Sequence, residues 1–459
     1  MAKKKILLLS DDLRMSSGVA TVSRQLVLGT VHKYDWVQLG AAIKHPEVGK
    51  VFDLSEDIRN RTDVKDANVK VIPFDGYGNA DIIRQILMME KPDAILHFTD
   101  PRYWIWLYDI EHEIRQSVPL LFYHIWDDLP DPKYNREYYE SCDWIGCISK
   151  QTYGITKRVW NWDKEPHWTH PKDWQLSYVP HGIDSKTYTP CIVPDDFRKH
   201  ILGEKEYDFV LFWNNRNIRR KQPIETILAF DEFRKSLPKD KQDKVCYLMH
   251  TEPIDENGTD LITVKNHLAP DSNIIFTKGR CTDEQVGWLY NLADVTINVA
   301  SNEGFGLATA ESIMSGTPVI VNVTGGLQDQ CGFKDKQTGK FFTEEDYVNI
   351  GSLHKRDWKD KLTWGEWVKP IWPVRSAVGS VPTPYIFDDR VDYEDIVPLI
   401  KEWYDTPKEK RKEFGLMGRE WMLNDGKLNK QYMCQSLIDG IETTFKNWKP
   451  RKKYSLIKL

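Results

Sequence analysis

The sequence predicts an α/β protein built of two doubly wound halves, one following the other. Three observations carry that reading. Short apolar runs alternate with helical patterns from the N-terminus to about residue 185, and the same rhythm restarts at residue 208. Between residues 331 and 390 it breaks, in a stretch crowded with Trp and Pro. Strand–helix alternation of this kind predicts a parallel sheet wrapped by helices.

In the first half, KILLLS (5–10) reads as a strand and DDLRMSSG as the loop after it. Val19, Val22 and Leu26, spaced i, i+3, i+7, then mark the buried face of a helix. WVQLGA (36–41) and VKVIPF (69–74) are strands, Asn79 is placed to cap the helix ADIIRQILMME, and AILHF (94–98) follows Pro92. PLLFYHIW (119–126), WIGCIS (144–149) and LSYVP (176–180) complete this set. In the second half DFVLFW (208–213) is a strand and PIETILAFDEFRKSL (223–237) a helix with Pro at its start. KVCYLMH (244–250), NIIFT (273–277), the helix DEQVGWLYNLA (283–293), VTINVA (295–300) and PVIVNV (318–323) follow. The expected domains are 1–185 and 208–430, joined by a linker at 186–207 around the turn formers and prolines of DSKTYTPCIVPDD. Residues 331–390 form a long insertion in the second domain, and long loops in compact proteins are usually functional. Residues 431–459 are expected to form a helix and a basic tail crossing back to the N-terminal domain.

The composition, 41% hydrophobic and 29% charged, suits a soluble globular protein with real cores. A net charge of −5 excludes a polycation, so nucleic-acid binding needs a local basic patch. The seven cysteines form no CxxC pair, which points to a reducing compartment and away from a structural zinc. The apolar run after MAKKK ends at Asp11 and is too short for a signal-peptide core. No run approaches the ~20 apolar residues of a membrane helix, and the expected location is cytoplasmic. The two-histidine spacing HWTH (167–170) lacks the further ligands a metal needs, so no metal site is expected.

The richest chemistry lies in SNEGFGLATAESIMSGTPVI (301–320). It follows the strand VTINVA, and ligands on open parallel sheets bind beyond the C-terminal ends of strands. Gly304 and Gly306 let a ligand approach the backbone, and the helix opened by Leu307 offers free N–H groups and a partial positive charge. Together these favour a diphosphate. The helix is expected to run about three turns and to end at Gly316 in a left-handed cap before Pro318. Glu311 lies five residues past Gly306, ~7 Å along the helix, a reach from phosphate to ribose. A carboxylate accepts paired hydrogen bonds from vicinal hydroxyls, and Glu303, before the helix, can serve a sugar beyond the phosphates. A nucleotide sugar fits both. The plainer alternative is a glycine-rich turn with one capping and one surface glutamate.

EGFGLATAESIMSGTPVI resembles the Glu-x7-Glu signature of the GT-B glycosyltransferases, specifically glycosyltransferase family 4 (group 1), over about residues 1–330 and 390–445. The resemblance implies two Rossmann-like domains facing across a cleft and a retaining, metal-independent transfer from a nucleotide sugar, with a UDP-sugar the expected donor and no obligatory cofactor. It assigns Glu303, Gly304, Phe305, Gly306, Leu307 and Glu311 to the donor. Arg216 and Lys221 in NNRNIRRKQ match the family's Arg-x4-Lys pair, where two cations stabilise the departing phosphates. Arg219 and Arg220 are alternatives, and a solvated basic loop is the plain reading. The family's flanking glycines are replaced by Asn215 and Gln222. SSGVATV (16–22) looks like the family's Gly-Gly-Val loop, with Gly18 as donor contact and Ser17 in place of the other glycine; a tight strand-to-helix turn is the alternative. His124, ending a strand in FYHIWDD, resembles the histidine that contacts the donor sugar; His97 is a weaker counterpart. Asp127, Asp128 and Arg14 are acceptor candidates, although the two aspartates could equally cap a turn. HGID (181–184) resembles the family's hinge. The implied mechanism is front-face displacement, in which the leaving phosphate takes the acceptor proton, so Glu303, Arg216, Lys221 and His124 carry catalysis without a triad base.

The acceptor is expected to be a glycan, a lipid-linked group or another hydroxyl. RVWNWDKEPHWTHPKDW (158–174) and the Trp-rich 358–375 offer faces that stack on sugars or bases, with Lys369, Arg375, Lys452 and Lys453 as nearby cations. The competing reading packs these tryptophans inside the insertion. The divergent motifs and PTPYIFDD also look like glycosyltransferases of large DNA phages. That implies an alternative acceptor, hydroxymethylated pyrimidines in DNA, and a host-cytoplasmic phage protein. A GT-B epimerase or an inactive nucleotide-sugar binding subunit is the remaining alternative.

Overall fold

The computed structural model describes residues 3–161 except 45 and 47, then 171–277 and 279–452. The chain forms two compact units. The first comprises Met1–Trp126, Asp131–Gly182 and Lys430–Leu459, and the second Asp127–Pro130 and Ile183–Asn429.

The first unit is built on eight strands: β1 (Lys4–Asp11), β2 (Tyr34–Ala41), β3 (Phe52–Asp53), β4 (Val69–Pro73), β5 (Ala94–His97), β6 (Leu120–His124), β7 (Trp144–Cys147) and β8 (Leu176–Tyr178). They lie in the order β3-β4-β2-β1-β5-β6-β7-β8, all parallel except β3. Ile6, Leu7, Leu8 and Leu9 are at most 1% exposed. A parallel strand covered on both faces needs an unbroken apolar run, which is why KILLLS does not alternate. The helix Gly18–Thr30 starts where Ser17 Oγ accepts the Ala20 N–H at 3.0 Å. Asn79 likewise caps the helix Ala80–Glu90 through the N–H groups of Asp81 and Ile82. The C-terminal helix Lys430–Asn447 packs on β7 so closely that a Cβ on Gly440 would stand 2.2 Å from Trp144 Cζ2.

The second unit holds β9 (Phe209–Asn214), β10 (Val245–His250), β11 (Ile274–Phe276), β12 (Val295–Asn298), β13 (Val319–Asn322), β14 (Lys334–Asp335), β15 (Leu362–Thr363), β16 (Val368–Ile371), β17 (Val374–Ser380) and β18 (Thr383–Arg390). Six of them form a parallel sheet in the order β11-β10-β9-β12-β13-β16. Phe209, Leu211, Trp213, Val295 and Ile297 fill its core together with Trp403. The strand order reverses between β9 and β12, and the crevice above such a reversal is where open α/β sheets take ligands.

Two sequence expectations change here. The segment 186–207 belongs to the second unit and carries a helix, Asp195–Leu202, with Asp195 and Asp196 complementing its N-terminal dipole. The insertion is ordered structure: β16 extends the sheet beside β13, with Val319 opposite Val368, and β17–β18 form an antiparallel hairpin. The Trp-rich 358–375 packs inward. Trp367 stacks on Trp421 at 5.1 Å and donates to the Gln330 carbonyl, and Trp372 donates to the Leu353 carbonyl. Of the other Trp-rich stretch, 158–174, residues 162–170 with the HWTH pair lie outside the described residues.

Gly440→Val tests the packing of the C-terminal helix. The Trp144 ring is fully buried, so the added side chain overpacks the contact at a cost on the order of 2 kcal/mol. The urea midpoint should fall with the slope unchanged; an unmoved midpoint would show that the helix does not press on Trp144.

Candidate functional site

Because β9 and β12 are neighbours, the loops that leave their C-terminal ends meet. Gln222, held at a φ of 50°, turns the first loop into the helix Pro223–Lys235, and its amide nitrogen donates to the Val299 carbonyl. Ser301 N–H donates to the Arg220 carbonyl at 2.7 Å. These two tethers set Arg220 and Lys221 beside Glu303. Lys221 Nζ and Arg220 Nη1 both donate to Glu303 Oε2, the latter at 2.9 Å, and Lys221 and Glu303 are each 7% exposed. Burial alone would raise the Glu303 carboxyl, but the two cations outweigh it and hold it down at about 2. Burial also lowers Lys221, with Glu303 opposing. Glu303 is therefore an ionised carboxylate at every physiological pH.

The second loop turns at Gly306, whose φ of 90° and close neighbours exclude a side chain: a Cβ there would stand 2.4 Å from Leu327 Cδ2. The helix that follows is Leu307–Met314, eight residues rather than three turns, because the left-handed Gly306 is its N-cap and Ser315 its C-cap. Gly316 is left-handed as expected, at a φ of 80°. Behind the loop, Gly325 has a φ of 45°, a Cβ on it would lie 2.1 Å from the Glu303 carbonyl, and Gly326 N–H donates to that carbonyl at 2.9 Å. Gln330 Nε2 donates to the Phe305 carbonyl at 2.6 Å. The sequence reading missed this support; its signal was the Gly-Gly pair one residue beyond PVIVNV.

Glu311 stands one turn after Leu307, ~6 Å along the axis. Its Oε2 accepts the Tyr290 hydroxyl at 2.9 Å, and Asn214 Nδ2 donates to that hydroxyl at 2.8 Å. Burial pushes Glu311 up to about 7, against the lowering effect of the Tyr290 and Tyr188 hydroxyls. The two glutamates of the motif are thus shifted in opposite directions for a physical reason: one has cations, the other only phenols.

The insertion hairpin is fastened to the same loop. Asp389 N–H donates to the Ser301 carbonyl at 3.2 Å, and its Oδ2 accepts Thr324 Oγ1 at 2.7 Å and Arg375 Nη2 at 3.0 Å. Asn302 Nδ2 donates to the Phe387 carbonyl at 2.8 Å and to Asp128 Oδ1. Asp127 and Asp128, counted within this unit, are both raised by burial, with Arg220 opposing.

Not every expected residue joins this group. Arg216 is 60% exposed and bound to Asp255, its Nε 2.8 Å from Oδ2, so Arg220 takes the place beside Lys221. The Ile218–Lys221 turn carries Arg220 toward Glu303 and leaves Arg216 on the rim. Gly18, Arg14 and His124 belong to the first unit. Gly18 opens its helix behind Ser17, whose hydroxyl donates to Asp11 Oδ2 at 2.6 Å. Arg14 is forked onto Asp12 and lies over the Phe52 ring. His124 ends β6 as expected, but its ring is 0% exposed: Nδ1 lies 2.9 Å from Thr156 Oγ1 and the ring meets Tyr139 edge-on. Burial lowers it to about 3, so the imidazole is neutral. His97 is bonded to Tyr108 and Thr99. Among the described residues no group of three or more His, Cys, Asp or Glu is placed to hold a metal ion.

Residues 195–351 match the family model described as glycosyl transferases group 1. The matched residues lie in the second unit. The alpha-monoglucosyldiacylglycerol synthase of Acholeplasma laidlawii is 26% identical over 228 residues, 49% of this chain and 52% of that protein. The chain thus spans about half the length of the curated relative it matches. Sucrose-phosphate synthase from Thermosynechococcus elongatus superposes with a TM-score of 0.65 at 14% identity, over 97% of this chain and 100% of that one. Anabaena HepE in complex with UDP-glucose gives 0.62 at 11% identity, over 96% and 99%. An E. coli trehalose-6-phosphate structure bound with UDP-2-fluoro glucose gives 0.62 at 10% identity, over 98% and 100%. At these identities the likeness is one of fold, and the fold is GT-B, with parallel sheets of Rossmann-like form.

The raised Glu311 has a consequence for stability. Its folded value of about 7 exceeds its ordinary value of 4.5, so between those limits the native state binds more protons than the unfolded chain. Its contribution to stability is greatest below the unfolded value and is lost as pH rises through that window. Urea midpoints of the wild type should show this fall, and Glu311→Gln should remove it. A pH profile identical in both proteins would place the Glu311 titration at its ordinary value.

Proposed function

We propose that the protein transfers a sugar from a UDP-sugar to a hydroxyl acceptor with retention of anomeric configuration. The observation that carries this reading is the ionised Glu303, shared by Lys221 and Arg220 at the start of the helix bearing Glu311. A diphosphate at that helix start meets free N–H groups and two cations. Lys221 and Arg220 then stabilise the charge that grows on the leaving phosphate, worth most in a site screened from water. Glu303, released from part of its ion pairing, accepts hydroxyls of the transferred sugar. Glu311 accepts the ribose hydroxyls, and the leaving phosphate oxygen takes the acceptor proton. The UDP-glucose and UDP-2-fluoro glucose in the similar structures support a UDP-hexose donor. The name of the curated relative, a synthase of a glucosyl-diacylglycerol, supports a lipid hydroxyl as the first acceptor to try.

UDP release from a panel of UDP-sugars, with diacylglycerol vesicles, oligosaccharides or hydroxymethylcytosine DNA added, tests the reading. Release from one donor, raised by one acceptor class, is expected, with the product anomer matching the donor by NMR. An inverted product would overturn retention, and no release from any donor would overturn the transferase reading. Lys221→Ala should lower kcat by about 10²–10³-fold. Glu311→Ala should weaken donor binding about 10–100-fold, as expected for charged hydrogen bonds. Because ribose hydroxyls favour the ionised form of Glu311, donor affinity should fall as pH drops below about 7. Calorimetry there should record proton release on binding.

A further inference from the structure

A concavity lies in the second unit, at the end of its sheet where β12 and β13 begin. Its volume is about 290 Å³, near the lower end of small-ligand sites. Its walls are the end of the helix Asp283–Leu292, the turn Ser315–Pro318, and Lys408, Arg411 and Lys412 at the start of the helix Lys408–Leu423.

The charge of this cavity is one-sided. The acid in its wall, Asp294, is spent: Oδ1 accepts Arg411 Nη2 and Oδ2 accepts Val210 N–H, each at 2.8 Å. The ion pairs along this turn are Arg411–Asp294 and Lys410–Glu413, which leave the exposed Lys408 and Lys412 without one among the described residues. The helix begins after Pro407 with no side-chain cap, so its first N–H groups also lack acceptors. Two buried donors in the wall, Ser315 Oγ and Arg411 Nε, have no hydrogen-bond partner, in residues 2% and 5% exposed. Both atoms are closed to solvent, so the donors that the cavity leaves open are the two lysines and the helix start.

We propose that this cavity binds a small phosphorylated metabolite, its phosphate on Lys408, Lys412 and the helix start. The binding itself does not rest on the proposed sugar transfer; its consequence does. The wall residues Thr317 and Ala293 hydrogen-bond the Tyr290 carbonyl, at 2.7 and 3.3 Å, while the Tyr290 hydroxyl holds Glu311. Ser315 N–H donates to the Glu311 carbonyl at 2.9 Å. An occupant therefore touches wall residues that are hydrogen-bonded to Tyr290 and to Glu311, and through them it shifts donor affinity.

Cys191, an exposed free thiol in the wall, reports occupancy without any activity assay. Its alkylation by iodoacetamide is followed by mass spectrometry, with Cys281 as internal reference and glycerol 3-phosphate as the probe, at constant ionic strength. Labelling of Cys191 should slow about tenfold at ten times the Kd, with Cys281 unchanged, and the protection should vanish in K408E/K412E. Both lysines are exposed, so the variant keeps its fold, which circular dichroism verifies. No protection at millimolar probe, or equal protection in the variant, overturns the site. Protection by inorganic phosphate as strong as by glycerol 3-phosphate reduces it to a free-anion site and overturns the metabolite assignment. UDP-sugar affinity measured with and without the probe decides the coupling: an unchanged Kd in a protected wild type overturns it, and a shift absent from the variant carries it.

Discussion

Glu303 is a buried carboxylate, and the second unit is arranged so that it never stands alone. Removing an isolated charge from water costs far more than a domain's net stability, and such a group would take up a proton instead. Lys221 and Arg220 prevent that by converging on one oxygen. Their convergence is a matter of backbone. The Ser301–Arg220 hydrogen bond joins the loops of β9 and β12, and the left-handed Gln222 closes the turn that aims Lys221 inward. The reversal of strand order brings those loops together in the first place. Topology, loop geometry and electrostatics thus support a single feature.

The insertion turns out to be part of that support. Asn322 Nδ2 donates to the carbonyls of Ala300 and Asp389, so β13 ties the end of β12 to the end of the hairpin. Asp389, buried, would be raised toward neutrality, and Arg375 from the partner strand opposes this. The hairpin therefore holds Ser301 and Asn302 from one side while Gly325 and Gly326 hold the Glu303 backbone from the other. A loop carrying a buried ion pair needs such bracing to keep its charged groups in register.

Legibility in the sequence followed the range of the interactions. Strands such as KILLLS and VTINVA were readable because burial on both faces forces unbroken apolar runs. Asn79 was readable as a cap because it bonds within three residues of itself. The positions of Glu303, Gly306 and Glu311 were readable from a resemblance concentrated in one strand–turn–helix. What stayed hidden depends on distant partners. Nothing in NNRNIRRKQ says that Arg216 turns to Asp255 while Arg220 turns to Glu303, since that choice is made by a turn and a remote acid. The inward ring of His124 reflects Thr156 and Tyr139, far along the chain. The insertion lacked periodicity because β16 is an edge strand of only four residues and the β17–β18 hairpin, though longer, has no regularly buried face to leave a pattern.

The charge around the candidate site also makes sense of the Arg216 displacement. Glu303, Asp127, Asp128 and Asp389 lie in one unit with Arg220, Lys221 and Arg375, a balance that would repel a diphosphate if every carboxyl were ionised. Burial raises Asp127, Asp128 and Asp389, and Glu303 alone is lowered, because it alone has two cations on one oxygen. Burial thus favours the protonated form of those three carboxyls, and the paired cations favour the ionised form of Glu303. Arg216, 60% exposed on Asp255, is the complementary reserve. An exposed ion pair gains little in water, whereas a hydrogen bond from a guanidinium to a phosphate is of the stronger, charge-assisted kind. In the proposed reaction Arg216 would exchange Asp255 for the incoming diphosphate. In the proposed donor site the buried Lys221 and Arg220 would supply the fixed part of the phosphate field, and the rim arginine the part that arrives with the ligand.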